Sequence, residues 1–148
     1  MAILSREPAW NESATVTTTV ASNDLASALP LSAQDGTFPA VLSTPRMIAL
    51  MEIACNRLLA PYLSAQQTSV VVRMDVSHSA ASPLGTHVTA TARYLGKEGS
   101  AGKLYKFEAV VSDRGGEIGR SQMTRAVVAI SGVESRARDR TRCLFGAR

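Results

Sequence analysis

The chain has 148 residues, of which 45% are hydrophobic and 19% charged, and its net charge is +4. This length fits a single domain, and this composition excludes an intrinsically disordered chain. No apolar run reaches the roughly 20 residues of a membrane-spanning helix, and the first residues lack the apolar stretch of a secretory signal. We therefore expect a folded, cytoplasmic protein without a membrane partner.

The first predicted element is a strand. Residues 14–20, ATVTTTV, alternate apolar positions with threonine and are rich in β-branched residues. This pattern is typical of a strand with one buried face. Between Asn23 and Phe38 the chain carries Pro30 and Gly36 among small apolar residues, which predicts a short helical turn and a loop. Such a loop could cover a pocket.

The second predicted element is a helix. Ser43 or Thr44 followed by Pro45 predicts its start, because a hydroxyl can cap free N–H groups and proline is tolerated at the first helical position. Pro61 limits its other end. Apolar residues dominate one helical face, so we expect the helix to be mostly enclosed. These residues are Met47, Leu50, Met51, Ala54 and Leu58.

Four strands joined by short turns are predicted to follow, the last of them in EIGRSQMTRAVVAI, which does not alternate cleanly. The apolar faces of the other three are Val70, Val72, Met74, Val76 and His78 in the first, Val88, Ala90, Ala92 and Tyr94 in the second, and Tyr105, Phe107, Ala109 and Val111 in the third. The element order therefore predicts an α+β domain, in which the helix packs across an antiparallel sheet of about five strands.

The C-terminal segment is basic, since five of the 16 Lys and Arg residues lie in residues 131–148. The segment lacks the spaced stacking aromatics and repeated phosphate-contacting pattern of a nucleic-acid-binding sequence, so no nucleic-acid partner is expected. We predict a folded domain over residues 1–131 and a solvated, partly disordered tail over residues 132–148.

Two histidines restrict the candidates for a general base at neutral pH. His78 continues the apolar face of its strand, so its imidazole is expected to point toward the helix, although a purely structural histidine fits the same pattern. His87 opens the next strand on the opposite parity from Val88 and is predicted to be exposed.

Glu52 and Thr44 are the other residues whose chemistry could serve a site. Glu52 lies about 100° from the apolar stripe of the helix, which fits either a solvated position or a half-enclosed carboxylate with an altered pKa. Thr44 fits a helix N-cap, and its hydroxyl would also lie beside N–H groups that stabilise an oxyanion. Cys55 and Cys143 have no metal-ligand spacing, and we expect Cys55 to be a buried reduced thiol.

The stretch FPAVLSTPRMIALMEIACNRLLAPYL, followed by TSVVVRMDVSHSAASPLGTHVTATA and EIGRSQMTRAVV, resembles the fluoroacetyl-coenzyme A thioesterase family. The resemblance covers about residues 36–130 and implies a hotdog fold, in which the sheet wraps one long central helix. It also implies a homodimer with active sites near the subunit interface. Carried over by position, the family's catalytic residues fall on Thr44, Glu52 and His78.

The resemblance also indicates candidate substrate-binding residues, which are Phe38, Val71, Met123 and Arg125. This chain departs from the family pattern at Val71, where glycine is common, at Pro45-Arg46, where Gly-Phe is usual, and at Met123, where histidine is frequent. A side chain at Val71 is expected to narrow the approach to the acyl group.

We expect the chain to hydrolyse an acyl-coenzyme A or similar small thioester, with no cofactor and no metal. His78 would act as general acid or base, Glu52 as carboxylate partner or nucleophile, and Thr44 as the orienting hydroxyl. The alternative is a non-catalytic hotdog module that binds an acyl or aromatic ligand or a protein partner, since fold does not fix function.

Overall fold

The computed structural model describes residues 2–145, which form five strands and two α-helices. The elements are β1 (Ser13–Thr19), α1 (Thr44–Leu59), β2 (Gln67–His78), β3 (His87–Glu98), β4 (Leu104–Asp113), β5 (Gly116–Ala129) and α2 (Ile130–Phe145). Short 3-10 turns lie between β1 and α1 and directly after α1. None of the helices in the described range is long and apolar enough to cross a membrane.

The five strands form one antiparallel sheet in the order β1-β3-β4-β5-β2, and α1 packs across one face of it. Met47, Met51 and Ala54 on the apolar stripe of α1 are fully buried against this face. The predicted apolar faces of β3 and β4 are buried as well, because every second residue of a strand points to the same side. The structure confirms the predicted α+β layout with an enclosed helix.

A β-bulge divides β2, and the sequence did not predict it. The pairing with β5 shifts between Val71 and Arg73, so that Val72 is the extra residue. Before the bulge, Ser69 and Val71 face α1; after it, the even-numbered residues up to His78 do. The prediction that Val70 and Val72 share a face with His78 is therefore wrong, because one inserted residue reverses the alternation. Val72 is 51% exposed.

The described part of the expected disordered tail forms α2, while residues 146–148 of that prediction lie outside the described residues. Alanine and arginine are good helix formers, and Glu134 precedes Arg138 by four residues, a spacing that supports an isolated helix. The side chains of residues 134–142 are all exposed, so this helix adds no buried face of its own to the core.

Candidate active site

The start of α1 brings Thr44 into contact with His78. Ser43, not Thr44, is the N-cap of the helix, and its hydroxyl accepts a hydrogen bond from the Arg46 N–H at 3.2 Å. The prediction of Thr44 as a cap is corrected accordingly. Because Ser43 fills this role, the Thr44 hydroxyl is available to hydrogen-bond His78 Nδ1 at 2.8 Å. Thr44 is exposed and His78 is half-buried, so the hydroxyl side of this pair faces solvent.

His78 ends β2 and lies opposite Gly119 of β5. Its Nδ1 is used by Thr44, whereas its Nε2 is buried without a hydrogen-bond partner in the described chain. A Cβ on Gly119 would lie 2.4 Å from Met47 Sδ and 2.9 Å from the Ser77 carbonyl oxygen, which real structures do not tolerate. The absence of a side chain at Gly119 thus lets the first turn of α1 approach the strand end that carries His78.

Asp24 fixes the loop before α1. Its buried carboxylate accepts the Ala21 N–H at 2.8 Å and pairs with Arg46 Nε at 2.7 Å, while its carbonyl accepts the Ser43 N–H. The side chain and the main-chain carbonyl of Asp24 therefore both connect this loop to the start of α1.

Ser82 fixes the loop after His78 in a similar way. Its hydroxyl donates to Asp113 at 2.6 Å, and its carbonyl accepts the Leu42 N–H at 2.8 Å. The Ser82 and Gly115 hydrogen bonds lower the pKa of the Asp113 carboxyl from its ordinary value of 3.8. Both loops around the Thr44–His78 pair are thus held by buried or half-buried polar contacts.

Two depressions meet at His78. One has a volume of about 370 Å³ and is lined by Ala26, Leu29, Phe38, Pro39, Val41, Leu42, Ser43, Thr44, Pro45 and His78. The other, of about 250 Å³, is shallower and is lined by residues 78–81. Phe38, a predicted substrate-binding residue, therefore lies in the same pocket as Thr44 and His78, and it is 40% exposed there.

Glu52 lies away from this pair within the chain. Eight residues separate it from Thr44, which corresponds to about 12 Å along the helix axis. Its carboxylate is 3.5 Å from Arg125 Nη1, and its side chain is 44% exposed. The structure therefore brings Thr44 and His78 together but leaves Glu52 on a separate, half-open patch.

Arg125 is buried and does not reach the pocket. Its Nε donates to Ser69 Oγ at 2.8 Å, and its Nη2 donates to the Ser69 carbonyl at 2.9 Å and to Asn56 Oδ1 at 3.2 Å. Only 2% of the side chain is exposed. These positions do not support its prediction as a substrate contact, since the guanidinium instead connects α1 to β2 and β5 and faces Glu52.

The remaining predicted residues pack near Arg125. Met123 is 1% exposed and its Sδ lies 3.9 Å from Cys55 Sγ, while Val71 packs against the core. Neither lines the pocket beside His78. Cys55 is a free, buried thiol, as predicted, and burial raises its pKa to about 12, so it stays protonated at neutral pH.

Sequence reasoning missed three polar residues that shape this region: Asp24, Asn56 and Ser82. Asn56 could have been found, because it follows Glu52 by four residues and so lies on the same helix face. Asp24 and Ser82 lie in loops whose contacts are distant in sequence, and no local pattern marks them. Within residues 2–145 no cluster of three or more His, Cys, Asp or Glu side chains is placed to hold a metal ion.

Comparison with known proteins gives consistent matches. Residues 20–131 match the model of the fluoroacetyl-CoA-specific thioesterase family. The fluoroacetyl-CoA thioesterase of Streptantibioticus cattleyicolor is 35% identical over 112 residues, which cover 76% of this chain and 78% of that protein.

Solved structures agree with these matches. A fluoroacetyl-CoA thioesterase structure superimposes with a TM-score of 0.82 and 31% identity, covering 90% of this chain and 98% of that one. A hot-dog-like protein from Thermanaerovibrio acidaminovorans has a TM-score of 0.74 at 23% identity, with 94% of each chain covered. The fold is thus the predicted hotdog fold, with its sheet packed on the central helix.

Proposed function

The chain belongs to the fluoroacetyl-CoA-specific thioesterase family, and we propose that the acyl-CoA thioester it hydrolyses is held where Thr44 meets His78. Water adds to the thioester carbonyl carbon, the C–S bond breaks, and the free acid and the coenzyme A thiol are released. The 2.8 Å contact between Thr44 Oγ1 and His78 Nδ1, at the junction of two depressions, is the observation that carries this proposal.

We expect the two depressions to hold the two sides of the thioester bond. The apolar pocket takes the acyl group, and the shallower depression over residues 78–81 takes the start of the thiol moiety. The carbonyl carbon then lies beside His78, which borders both depressions. This placement supports hydrolysis over the alternative of a binding-only module, because a titratable group adjoins the bond to be broken.

His78 moves the proton in the proposed reaction. Its Nε2 is buried, so the proton moves through Nδ1 and the Thr44 hydroxyl bonded to it. The hydroxyl passes its own proton to Nδ1 as it takes one from the attacking water, and the reverse transfer delivers a proton to the sulfur as the thiolate leaves. We assign Glu52 as the carboxylate that supports His78, and not as the nucleophile. Its contact with the Arg125 guanidinium makes the carboxylate oxygens less nucleophilic.

The Thr44 N–H is a suitable donor to the developing oxyanion. In the first turn of α1, Pro45 has no N–H, Ser43 Oγ accepts the Arg46 N–H, and the Ser43 carbonyl accepts the Met47 N–H. The Thr44 amide is left at the positive end of the helix dipole, beside the pocket.

A thiol-release assay on acyl-CoA esters tests the role of His78. We expect His78→Ala to lower turnover by about a hundredfold or more without unfolding the protein, since a positioned acid–base group contributes ~10²–10⁴ in rate. His87→Ala is the matched control, because His87 also lies at a strand terminus, as the first residue of β3, but is exposed and hydrogen-bonds Thr19. Equal turnover in both variants at matched folded fraction would refute the assignment.

The position of Glu52 supports a homodimer with shared sites. Glu52 is about 12 Å along α1 from Thr44, yet its carboxylate is half exposed. The outer edge of β2 is unpaired in the sheet, and two such edges can pair about a two-fold axis. Antiparallel pairing centred near Met74 would set His78 opposite Val70 of the partner, where the partner's Glu52 region lies. Each site would then combine Thr44 and His78 with the partner subunit's Glu52.

Complementation tests this shared site. A heterodimer of Glu52→Gln and His78→Ala has one site with both residues intact and one with neither. Co-refolding the two inactive variants in equal amounts should therefore restore about one quarter of wild-type activity, because half of the dimers are mixed. If all three residues act within one chain, every site keeps one defect and no activity returns.

We also propose a cytoplasmic location. The buried, free thiol of Cys55 is compatible with a reducing compartment.

A further inference from the structure

The pocket beside Thr44 is apolar over nearly all of its wall. Its polar side chains, Thr44, His78 and Ser43, lie at one end, and the Ser43 hydroxyl is already occupied by the helix cap. The other lining residues are Ala26, Leu29, Phe38, Pro39, Val41, Leu42 and Pro45. A carboxylate or hydroxyl on the acyl group would therefore lose its water without gaining a partner, which disfavours polar acyl groups.

The volume of the pocket exceeds the needs of a two-carbon acyl group. Such a group takes the space of two or three water molecules, roughly 60–90 Å³ at ~30 Å³ for each water. The pocket has about 370 Å³. This volume lies near the lower limit of small-molecule sites, which span roughly 300–1,000 Å³, so the pocket does not enclose a long fatty chain.

Hydrogen bonds fix the loop that lines the pocket, so the pocket cannot close around a small acyl group. The Ala26 N–H donates to the Val41 carbonyl at 2.7 Å, and the Leu42 N–H donates to the Ser82 carbonyl at 2.8 Å. Asp24 ties the same loop to Arg46 at the start of α1. With a two-carbon group bound, most of this apolar wall would stay in contact with water.

We propose that the preferred substrate carries an unsubstituted apolar acyl group of about five to eight carbon atoms, straight, branched or aromatic. This inference rests on the proposed function. It sets this chain apart from a relative whose name specifies fluoroacetyl-CoA.

A chain-length series tests the proposal. Thiol release is measured with acetyl-, fluoroacetyl-, butyryl-, hexanoyl-, phenylacetyl- and palmitoyl-CoA. Burying one methylene is worth about a fourfold gain, so kcat/KM should rise at least tenfold from acetyl to hexanoyl and fall again for palmitoyl. A flat series, or fluoroacetyl-CoA ahead of hexanoyl-CoA, overturns the proposal.

Leu29→Trp narrows the pocket, because Leu29 lines it and is 38% exposed. The ratio of kcat/KM for hexanoyl over acetyl should drop at least tenfold. Leu31→Trp is the matched control, since Leu31 lies two residues on, is 98% exposed and does not line the pocket, so its ratio should equal that of the wild type. If Leu29→Trp does not fold, Phe38→Ala replaces it, and the preferred chain should become longer.

Binding of thioether analogues separates this proposal from the proposed function. S-hexyl-CoA and S-ethyl-CoA cannot be hydrolysed, and calorimetry reports their affinities for the wild-type protein. If S-hexyl-CoA binds more tightly than S-ethyl-CoA but no ester is turned over, the proposed acyl preference stands and the proposed hydrolysis is refuted. Equal binding with normal turnover refutes the acyl assignment alone.

Discussion

Replacement of the buried Arg125 tests whether this residue holds the structure together or binds substrate. Arg125→Met keeps most of the side-chain volume but removes three hydrogen bonds to Ser69 and Asn56 and the ion pair with Glu52. The Ser69 hydroxyl can still donate to Asn56 Oδ1, so one contact between α1 and β2 survives.

The expected loss of stability follows from these contacts. A hydrogen bond contributes about 1 kcal/mol net, and removing a buried guanidinium recovers part of its desolvation cost, so we expect a loss of about 2–3 kcal/mol. For a domain of this size that lowers Tm by roughly 5–10 °C. Arg73→Met is the control, because Arg73 is 68% exposed and a solvent-exposed ion pair such as its pair with Glu98 contributes little to stability.

Calorimetry and steady-state kinetics at matched folded fraction separate the two roles of Arg125. If the guanidinium positions Glu52, kcat falls severalfold and KM is unchanged. If it binds the anionic substrate, KM rises at least tenfold and becomes less sensitive to salt. An unchanged Tm together with a raised KM would refute the structural role.

Three further outcomes are expected. Gly119→Ala should cost about 1–3 kcal/mol and lower turnover. The cost in stability should be smaller in a Met47→Ala background, because the new Cβ would collide with the Met47 side chain, and a double-mutant cycle with urea melts will show this. The lowered pKa of Asp113 stabilises the fold above its ordinary value of 3.8. The difference in free energy of unfolding between wild type and Asp113→Asn should therefore be largest near pH 7 and disappear as the pH falls through the pKa of Asp113 in the folded state. A difference that does not change with pH would contradict this. Deleting residues 135–148 should change Tm by less than about 2 °C, because residues 134–142 are exposed; a larger drop would show that α2 packs on a partner.

Local periodicity was sufficient to place most of the fold. The buried stripe of α1 and the inward faces of β3 and β4 repeat at the spacing of their element, so the sequence alone identifies them. The bulge at Val72 and the helical state of residues 130–145 were not visible. The bulge is set by pairing with β5, and α2 lacks the apolar stripe by which a helix is usually found.

The site was predictable in its residue types but not in its geometry. Ser43 and Thr44 are equivalent as cap candidates in sequence, and only the folded loop assigns the cap to Ser43 and leaves Thr44 to His78. The sequence analysis predicted Arg125 as a substrate-binding residue, yet Ser69 and Asn56, which are 56 and 69 residues away, hydrogen-bond its buried guanidinium. Contacts at such separations leave no mark in a local pattern.

The extra residue in β2 means that the orientation of His78 depends on strand length as well as on residue identity. The bulge at Val72 separates two halves of β2. The first half contains Ser69, which hydrogen-bonds Arg125, and the second half ends at His78. Deleting Val72 would leave every chemical group of the site in the chain but turn either Ser69 or the imidazole to the opposite side of the sheet. An exposed valine thus determines that Ser69 and His78 point to the same side of the sheet. A homologue that lacks this residue could keep both side chains in its sequence and still not place them together.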